Sequence, residues 1–343
     1  MTPGEPGGEV YINRIATAVP PRQVHRAYCD WAAARIEDPR AAKLFTRMAG
    51  RAGISARQSV LPETSFEDGG FYAGESWPGT AARMRIYAER APELAVEAVQ
   101  GLGALEGITH LVVASCTGFV APGVDQIIAE RLGLGGKVRR VLIGFMGCYA
   151  AVPAMRTAAQ IVAGDAAARV LVVAVELSTL HLQDDREVEP LLAQMLFADG
   201  AAAAIVSGEA AGLAVDGFFT RTLPDSAGLI TWTIGDHGFV MHLSGEVPKR
   251  IEAAARDLPI AAGEDITWAV HPGGRSILDA VEQAFGLEPE ALAISRAVLD
   301  AHGNMSSATV LFVLKEMMVQ PKPGVALAFG PGMTAEGFRF RPA

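Results

Sequence analysis

Three residues able to carry out acyl transfer recur at one kind of position in this chain. Cys148, His271 and Asn304 each stand just before a run with helical apolar spacing, and a predicted strand precedes the first two. A cysteine thiolate is a nucleophile, an imidazole can hold or move its proton, and a carboxamide can donate to a developing oxyanion. Together they predict acyl chemistry through a cysteine nucleophile.

Cys148 is predicted at a strand-to-helix turn, in the motif Gly147-Cys148-Tyr149-Ala150. Residues 141–145 form an apolar strand pattern, and residues 150–162 have helical spacing. A thiol near a helix N-terminus lies at the positive end of the helix dipole, which favours the thiolate. The local sequence therefore predicts an activated cysteine.

His271 and Asn304 occupy similar places in the second half of the chain. His271 follows a predicted strand at residues 266–270 and precedes a helix at 275–285. Asn304 precedes a helical run at residues 308–314, where its amide can serve an oxyanion or simply cap the helix. Capping is the alternative interpretation for Asn304.

Each of these residues alone is weak evidence for catalysis. A free cysteine is commonly an inert buried side chain, and a single histidine is commonly a structural or surface residue. The combination is more informative, because active sites of layered α/β folds gather at the ends of elements. Their shared placement therefore favours a catalytic site.

The elements around these residues predict two similar halves. Residues 80–100 read as a helix. The elements after it are a strand at 108–115, a helix at 125–132, the strand and helix on either side of Cys148 and a strand at 168–175, which give a βαβαβ series in the first half. The second half echoes this order and ends in a strand at 325–329. We predict an N-terminal half at residues 1–210 and a C-terminal half at 211–343, packed around one site.

Composition bounds the class of protein. The chain has 343 residues, 50% of them hydrophobic, and a net charge of −9, so it can bury a large core and does not suit general nucleic-acid binding. Three cysteines and a polar lead at residues 1–8 predict a reducing, cytoplasmic location without a signal peptide. No apolar run is long enough to predict a membrane span, and no metal-ligand spacing is present.

Four motifs give the chain a specific resemblance. Gly147-Cys148, His271-Pro272-Gly273-Gly274, Gly303-Asn304-Met305-Ser306-Ser307 and Phe329-Gly330-Pro331-Gly332 are similar to the signatures of type III polyketide synthases. This is the chalcone synthase-like branch of the thiolase superfamily, and the similarity runs in order from about Val10 to the C-terminus. The resemblance implies an α/β, thiolase-like fold with duplicated βαβαβ halves in an α/β/α/β/α arrangement.

The resemblance also implies a mechanism. Cys148 would take the acyl group of an acyl-CoA starter, with His271 holding the thiolate in an ion pair. His271 and Asn304 would then stabilise the enolate formed when malonyl-CoA loses carbon dioxide, and the condensation would repeat before cyclisation or release. No metal or cofactor beyond the CoA thioesters is implied, and related enzymes are homodimers, so we predict a dimer.

The family pattern assigns further residues to substrate binding. Lys43, Arg47 and Arg51 recur every four residues, and this helix face would hold the CoA phosphates, although a solvated face is the alternative. Phe197 matches one of two phenylalanines between the CoA tunnel and the cavity, while Met241 replaces the second and Phe239 is a weaker candidate for it. The remaining predicted cavity residues are Cys116, Ser178, His181, Gly330 and Gly332.

Three alternatives remain open at this stage. His181 is predicted to be an acid, a base or a cavity wall, or else a surface histidine. A ketoacyl synthase III-like enzyme using acyl carrier protein shares the Cys, His and Asn roles, but that branch usually follows its histidine with Gln-Ala-Asn rather than Pro272-Gly273-Gly274. A non-catalytic acyl-binding protein would require the loss of a catalytic residue, and all three are present.

Overall fold

The computed structural model describes residues 8–74, 76–260 and 265–343, without the side chains of residues 254 and 256. Most of the predicted polar lead, residues 1–7, lies outside the described residues. The strands are β1 (Tyr11–Ala18), β2 (Arg22–Gln23), β3 (Gln58–Ser59), β4 (His110–Ser115), β5 (Arg139–Gly144), β6 (Arg169–Leu177), β7 (Asp199–Ser207), β8 (Leu213–Thr222), β9 (Ile230–Gly235), β10 (Gly238–Leu243), β11 (Thr267–Val270), β12 (Gly324–Gly330) and β13 (Thr334–Pro342). The helices are α1 (His25–Arg35), α2 (Pro39–Ala49), α3 (Thr80–Gln100), α4 (Val124–Arg131), α5 (Ala151–Gly164), α6 (Val188–Met195), α7 (Val247–Ala254), α8 (Arg275–Phe285), α9 (Ala293–His302) and α10 (Thr309–Met317).

Nine strands form one sheet in the order β11-β12-β13-β8-β1-β7-β6-β4-β5. Strand β4 is parallel to β5 and β6, and β11 is parallel to β12, whereas the central pairs are antiparallel. The sheet narrows between β1 and β8, which are in register at two residue pairs, Tyr11 with Ala214 and Ile12 with Leu213. This junction joins an N-terminal half-sheet to a C-terminal one. The predicted boundary at residues 210 and 211 stays a prediction.

Side-chain alternation along the strands separates the cores of the N-terminal half. In β4, Val112 and Ala114 pack into a core that contains α5 and α10, whereas Leu111 and Val113 pack into a core that contains α3. Successive side chains of a strand point to opposite faces, so a strand apolar at every position must be covered on both faces. The N-terminal half-sheet therefore lies between two helical layers.

The C-terminal half-sheet repeats this arrangement. In β12, Ala326 and Ala328 face the core shared with α5 and α10, whereas Val325 and Leu327 face a third core with α8. Helix α5 contacts β4 and β6 on one side and β13 on the other. The layers are thus α3, half-sheet, α5 with α10, half-sheet and α8, which confirms the predicted thiolase-like α/β fold.

The hairpin β9–β10 lies outside the large sheet and brings its own side chains toward the site. It is antiparallel, with Met241 in register with Trp232.

Among the described residues, no helix has both the length and the apolar character needed to cross a bilayer.

Candidate active site

Cys148 lies in a single 3₁₀ turn, Gly147–Tyr149, between β5 and α5, and it is buried. The chain turns here through Phe145 and Gly147, whose φ angles are 59° and 73°. A Cβ on residue 147 would lie 2.3 Å from Cδ of Pro331. Glycine is therefore required before Cys148 both for its backbone angle and for the close approach of the loop at Pro331.

Asn304 reaches the thiol from the second half of the chain. Its Oδ1 and Nδ2 atoms both lie 4.0 Å from Sγ of Cys148. The oxygen accepts from the Ser306 amide at 2.8 Å, and Nδ2 donates to the Gly273 carbonyl at 3.2 Å. One Nδ2 hydrogen remains for the space beside the sulfur, so the amide can act as a donor there. Asn304 stands five residues before α10 and is not its N-cap.

His271 directly follows β11 and is 1% exposed. Its main-chain N–H donates to the Leu327 carbonyl at 2.8 Å. Within the described parts of the chain, neither ring nitrogen has a hydrogen-bond partner. Buried polar atoms are almost always paired, so these two ring nitrogens are available to a water molecule or a ligand. Burial lowers the pKa of His271 to about 3.

The environment of Cys148 opposes ionisation. Burial raises the pKa of its thiol to about 11, and the Glu176 carboxyl adds to the rise, while Ser306 and Asn304 act in the opposite direction. The expectation of a resting thiolate is therefore not supported. Desolvation outweighs the helix dipole because Cys148 stands before the first residue of α5 and is enclosed. The neutral thiol and the neutral imidazole are the favoured forms in the free protein.

A first cavity of about 360 Å³ opens at Cys148. Its volume is within the range of small-molecule sites. It is lined by Cys116, Thr117, Gly147, Cys148, Ser178, His181, Leu182, Gln183, Asp185, Pro190, Ala193, Gln194, Phe197, Ile230, Trp232, Val240, Met241, His242, Ser306 and Pro331.

Of the predicted cavity residues, the structure brings Cys116, Ser178, His181, Phe197 and Met241 to this lining. Phe239 is not part of the lining. It is buried behind the wall, and its ring stacks on His181 at 4.2 Å between centroids. Because side chains alternate along β10, Met241 and Phe239 share one face of the strand, and Met241 is the one that reaches the cavity.

His181 is 4% exposed, so the alternative of a surface histidine is wrong. Its Nε2 lies 2.7 Å from the Thr117 carbonyl, and its Nδ1 accepts from the Phe239 amide at 3.0 Å. The ring of Trp232 meets it edge-on at 5.4 Å. Both nitrogens are occupied, so this ring serves as a wall and has no free position for acid or base chemistry. Burial lowers its pKa to about 3.

Cys116 supports the turn that carries Cys148. Its sulfur accepts from the Gly147 amide at 3.0 Å, and its own amide donates to Glu176 at 2.9 Å. Ser178 differs, because its buried hydroxyl has no partner among the described residues. Cys116 is thus engaged by the protein, while the Ser178 hydroxyl is available to a ligand.

A second cavity, of about 780 Å³, lies on the other side of α6. It is lined by Met48, Arg51, Ala52, Val188, Glu189, Leu192, Ala193, Met195, Leu196, Leu243, Ser244, Gly245, Val247, Pro248, Gly273, Gly274, Arg275, Ser276, Ile277 and Asp279. Ala193 lines both cavities, and Gly273 accepts from Asn304. Cys148 therefore opens to the first cavity, and Asn304 connects it to Gly273 at the second cavity. The His271 ring lies 3.6 Å from the position of a Cβ on Gly273.

The predicted cationic stripe is only partly arranged as expected. Lys43 and Arg47 are exposed on α2, but α2 ends at Ala49, so Arg51 lies beyond the helix. Of these three side chains, Arg51 lines the second cavity, and Arg275 donates to its carbonyl at 3.1 Å. The prediction that all three side chains share one helical face is wrong for Arg51, which lies after the end of α2.

Gly330 and Gly332 shape the loop rather than line either cavity. A Cβ on Gly330 would lie 2.7 Å from the ring of Tyr149 and 3.4 Å from the amide nitrogen of Cys148. Gly332 has a φ of 71°. A side chain at residue 330 would therefore displace the turn that holds the thiol.

Several residues of the site were not found from the sequence. Trp232 lines the first cavity and donates to the Cys116 carbonyl at 2.8 Å, and Glu176 accepts from Thr117 and Ser307 behind it. Ser306 was visible inside the motif at Asn304 but was given no role. Trp232 lies in a segment without a recognisable motif, so no sequence signal pointed to it. Glu176 stands inside an apolar strand, and a carboxylate there was a signal of a buried polar function.

Comparisons with known proteins agree with this geometry. The family models for chalcone and stilbene synthases match at residues 6–210 (N-terminal domain) and 217–342 (C-terminal domain). Bisdemethoxycurcumin synthase of Oryza sativa subsp. japonica is 36% identical over 326 residues, covering 85% of this chain and 81% of the relative.

Two solved structures are similar over nearly all of the chain. PKS-I from the brown alga Ectocarpus siliculosus has a TM-score of 0.88 at 28% identity, covering 99% of this chain and all of that one. The C-terminal type III polyketide synthase domain of Steely1, a type I/III hybrid from Dictyostelium, has a TM-score of 0.87 at 25% identity, covering 97% and 99%. The chain therefore belongs to the chalcone and stilbene synthase family and is a type III polyketide synthase, an acyltransferase.

Proposed function

We propose that Cys148, His271 and Asn304 carry the iterative decarboxylative condensation of malonyl-CoA onto an acyl-CoA starter. One observation carries this assignment: a buried thiol opens to the first cavity with a carboxamide 4.0 Å from its sulfur, and this carboxamide donates to Gly273 at the second cavity. The His271 imidazole, without partners among the described residues, lies 3.6 Å from the Cβ position of Gly273. None of the named relatives supports a ketoacyl synthase III or a non-catalytic protein.

The first step is acylation of Cys148. His271 accepts the thiol proton as Sγ attacks the thioester carbonyl, the bond from that carbonyl to the CoA sulfur breaks, and the proton passes to the departing CoA thiolate. Because the neutral pair is favoured before substrate binds, proton transfer accompanies the attack. Imidazole in its neutral form is the state that can accept this proton.

The second step is decarboxylation of malonyl-CoA. The bond between its α-carbon and the carboxylate breaks, carbon dioxide leaves, and the electron pair forms an enolate whose oxygen accepts hydrogen bonds from His271 and Asn304. The enolate carbon then attacks the acyl-Cys148 carbonyl and releases the thiolate. Neither step changes the overall oxidation state, so CoA thioesters are sufficient reactants.

The second cavity is the candidate entrance for CoA. Its rim carries Arg51 and Arg275, and guanidinium groups bind phosphates through charge-assisted hydrogen bonds. Lys43 and Arg47 are exposed on α2, whose Met48 lines the same cavity. Phe197 stands beside Leu196, which lines this entrance, so its ring would exclude water from the decarboxylation site.

The growing chain would occupy the first cavity. Its wall is built from Met241, His181, Trp232 and Cys116, with the Ser178 hydroxyl as an available hydrogen-bond donor.

The three free cysteines of the chain suit a reducing compartment such as the cytoplasm.

A homodimer is proposed through the edge strand β5. Val141 and Leu142 are 41% and 42% exposed, and nearby Phe119 is 47% exposed. An edge strand with exposed apolar side chains is a surface that proteins normally cover. Light scattering should give a dimer mass for the wild type and a monomer mass for Leu142→Arg, and a monomeric wild type would contradict the assignment.

The central experiment is product analysis. Purified protein is incubated with labelled malonyl-CoA and a panel of short, aromatic and long-chain acyl-CoA starters, beside Cys148→Ala. Products absent from the variant would support condensation on Cys148, and their masses would give the starter and the number of extensions. Consumption of malonyl-carrier protein in place of malonyl-CoA would instead indicate ketoacyl synthase III chemistry, and equal products from the variant would contradict the role of Cys148.

A further inference from the structure

Arg57 is a buried arginine directly behind the proposed active site. It is 1% exposed, and its Nη1 donates to the Phe197 carbonyl at 2.6 Å. Its Nε donates to Nδ1 of His25 at 3.0 Å, and its guanidinium lies 4.8 Å from the ring centre of Tyr28. Its contacts are thus a carbonyl, an imidazole and an aromatic face.

The segment that Arg57 holds is paired with Asn304. Phe197 and Asn304 form an isolated parallel bridge. The main-chain N–H of Asn304 donates to the Leu196 carbonyl at 2.8 Å, and the main-chain N–H of Ala198 donates to the main-chain carbonyl of Asn304 at 2.9 Å. Phe197 lies between Leu196 and Ala198, and its carbonyl accepts the hydrogen bond from Arg57. A shift of residue 197 would therefore move the backbone of Asn304.

Arg57 also touches the other strand of this bridge. Gly303, which has a φ of 69°, would carry a Cβ 2.9 Å from Cγ of Arg57 and 3.0 Å from the Leu196 carbonyl. The aliphatic part of the arginine thus packs on the residue before Asn304, while its guanidinium binds the residue paired with Asn304. One side chain contacts both halves of the bridge.

Burying this cation is costly. Its Nη2 has no hydrogen-bond partner among the described residues, and burial lowers the pKa of the group. An apolar side chain would fill the same space without the desolvation penalty. The arrangement therefore needs an explanation other than stability, and the one that its contacts offer is the position of the bridge.

We propose that Arg57 is a positioning residue that sets the place of the Asn304 carboxamide by holding Phe197 and Gly303. This rests on the role proposed above for Asn304 as a donor to the enolate. In the proposed mechanism, acylation of Cys148 depends mainly on His271 as the proton acceptor, whereas the enolate depends directly on the Asn304 donor. The two half-reactions should therefore respond to loss of Arg57 to different extents.

The test measures both half-reactions in full-length variants. Arg57→Gln should slow decarboxylation of malonyl-CoA by about 10- to 100-fold, somewhat less than removal of an oxyanion donor, while transfer of a radiolabelled starter to Cys148 changes less than about threefold, since the interaction with the acylation step is indirect. Arg57→Lys keeps the charge but not the two-pronged geometry, so it should restore part of the rate. Rates are normalised to the amount of folded protein, taken from thermal unfolding and titration of Cys148.

Arg83→Gln is the matched control. Arg83 is also buried, and it donates to the Leu180 and Leu182 carbonyls behind the first cavity, away from Asn304. It should lower stability without a selective effect on decarboxylation. Equal losses in both half-reactions for Arg57→Gln, or the same selective loss for Arg83→Gln, would overturn the proposal.

A double variant separates this proposal from the function it rests on. In an Asn304→Ala background, Arg57→Gln should cause no further loss of decarboxylation, because the group it positions is gone. An additive loss would overturn the role of Arg57. Wild-type decarboxylation by Asn304→Ala alone would contradict the proposed function of Asn304, whereas a slow Asn304→Ala beside an unaffected Arg57→Gln would overturn only the positioning role.

Discussion

Two buried histidines of this protein differ in what their ring nitrogens do. His271 and His181 are 1% and 4% exposed, and burial lowers the pKa of each to about 3. Both nitrogens of His181 are bonded to the protein, whereas neither nitrogen of His271 has a partner among the described residues. Burial and pKa alone therefore do not distinguish these two rings, whereas their hydrogen bonds do.

The same contrast separates the two cysteines at the cavity. Cys116 accepts from the backbone of the Gly147 turn, while Cys148 lines the first cavity with the Asn304 carboxamide 4.0 Å from its sulfur. The His271 ring nitrogens have no partner among the described residues, whereas the polar atoms of His181 are bonded to the protein. Four measurements would break or sharpen this comparison.

The largest difference is expected in turnover. His271→Gln should lower kcat by about 10²- to 10⁴-fold, the usual contribution of a proton-transferring side chain, because it removes the acceptor for the Cys148 proton. The measurement is steady-state product formation from malonyl-CoA and an accepted starter, with protein folding checked by circular dichroism. A His271→Gln enzyme within threefold of the wild type would place the proton acceptor elsewhere.

The next effect concerns alkylation of Cys148. With its thiol pKa raised to about 11, the rate of reaction with iodoacetamide should rise by about tenfold per pH unit between pH 7 and 10, as the thiolate fraction grows. Peptide mass spectrometry would follow Cys148 separately from Cys29, and Cys148→Ala is the control. A rate that is already at its plateau at pH 7 would show a resting ion pair with His271 and would restore the original expectation.

A smaller effect is expected in stability at His181. His181→Phe keeps a ring against Phe239 but leaves the Thr117 carbonyl and the Phe239 amide without partners. The free energy of unfolding should fall by about 3 kcal/mol, from two buried groups left unpaired. Urea denaturation measures this, and His181→Gln, which can restore one of the bonds, is the control. An unchanged midpoint would mean that the wall does not depend on these bonds.

The smallest effect is the pH dependence of stability. Burial lowers the pKa of His181 and of His271 to about 3 in the folded state, so the stabilising contribution of each is present above pH 6.5 and is lost as the pH falls. When the pH falls from 7.5 to 5, the free energy of unfolding should decrease in both proteins, and the decrease should be about 2 kcal/mol smaller in His271→Gln than in the wild type. Glu176, whose pKa is raised to about 7, changes in the opposite direction but is present in both proteins. Parallel pH curves would refute the buried neutral state of His271.

Local sequence was sufficient to predict the long helices. The predicted helix at residues 80–100 is α3, and the predicted helix at 275–285 is α8. Both patterns repeat with the helical period over many residues, so they did not depend on distant contacts. The prediction failed at an element end, where Arg51 falls after α2, because helix termination depends on the packing of the following chain.

Tertiary contacts decided the properties that a linear pattern does not contain. The turn geometry and helix N-terminus predicted a thiolate at Cys148, but enclosure by both halves of the chain raised its pKa. The sequence was equally consistent with a surface position and a site position for His181. In the structure the hairpin β9–β10 covers it, and it is buried. Trp232 joined the cavity through that same hairpin, without any motif of its own.

The sequence by itself determined the family, the layered α/β fold and the order of the residues that can perform acyl chemistry, because motifs and periodicity are local. The tertiary structure alone decided which polar atoms are satisfied and which remain open, how far each buried group is removed from water, and which side chains line the two cavities. These properties arise from contacts between residues far apart in the chain. The bond from Arg57 to Phe197 spans 140 residues, and no local pattern could have predicted it.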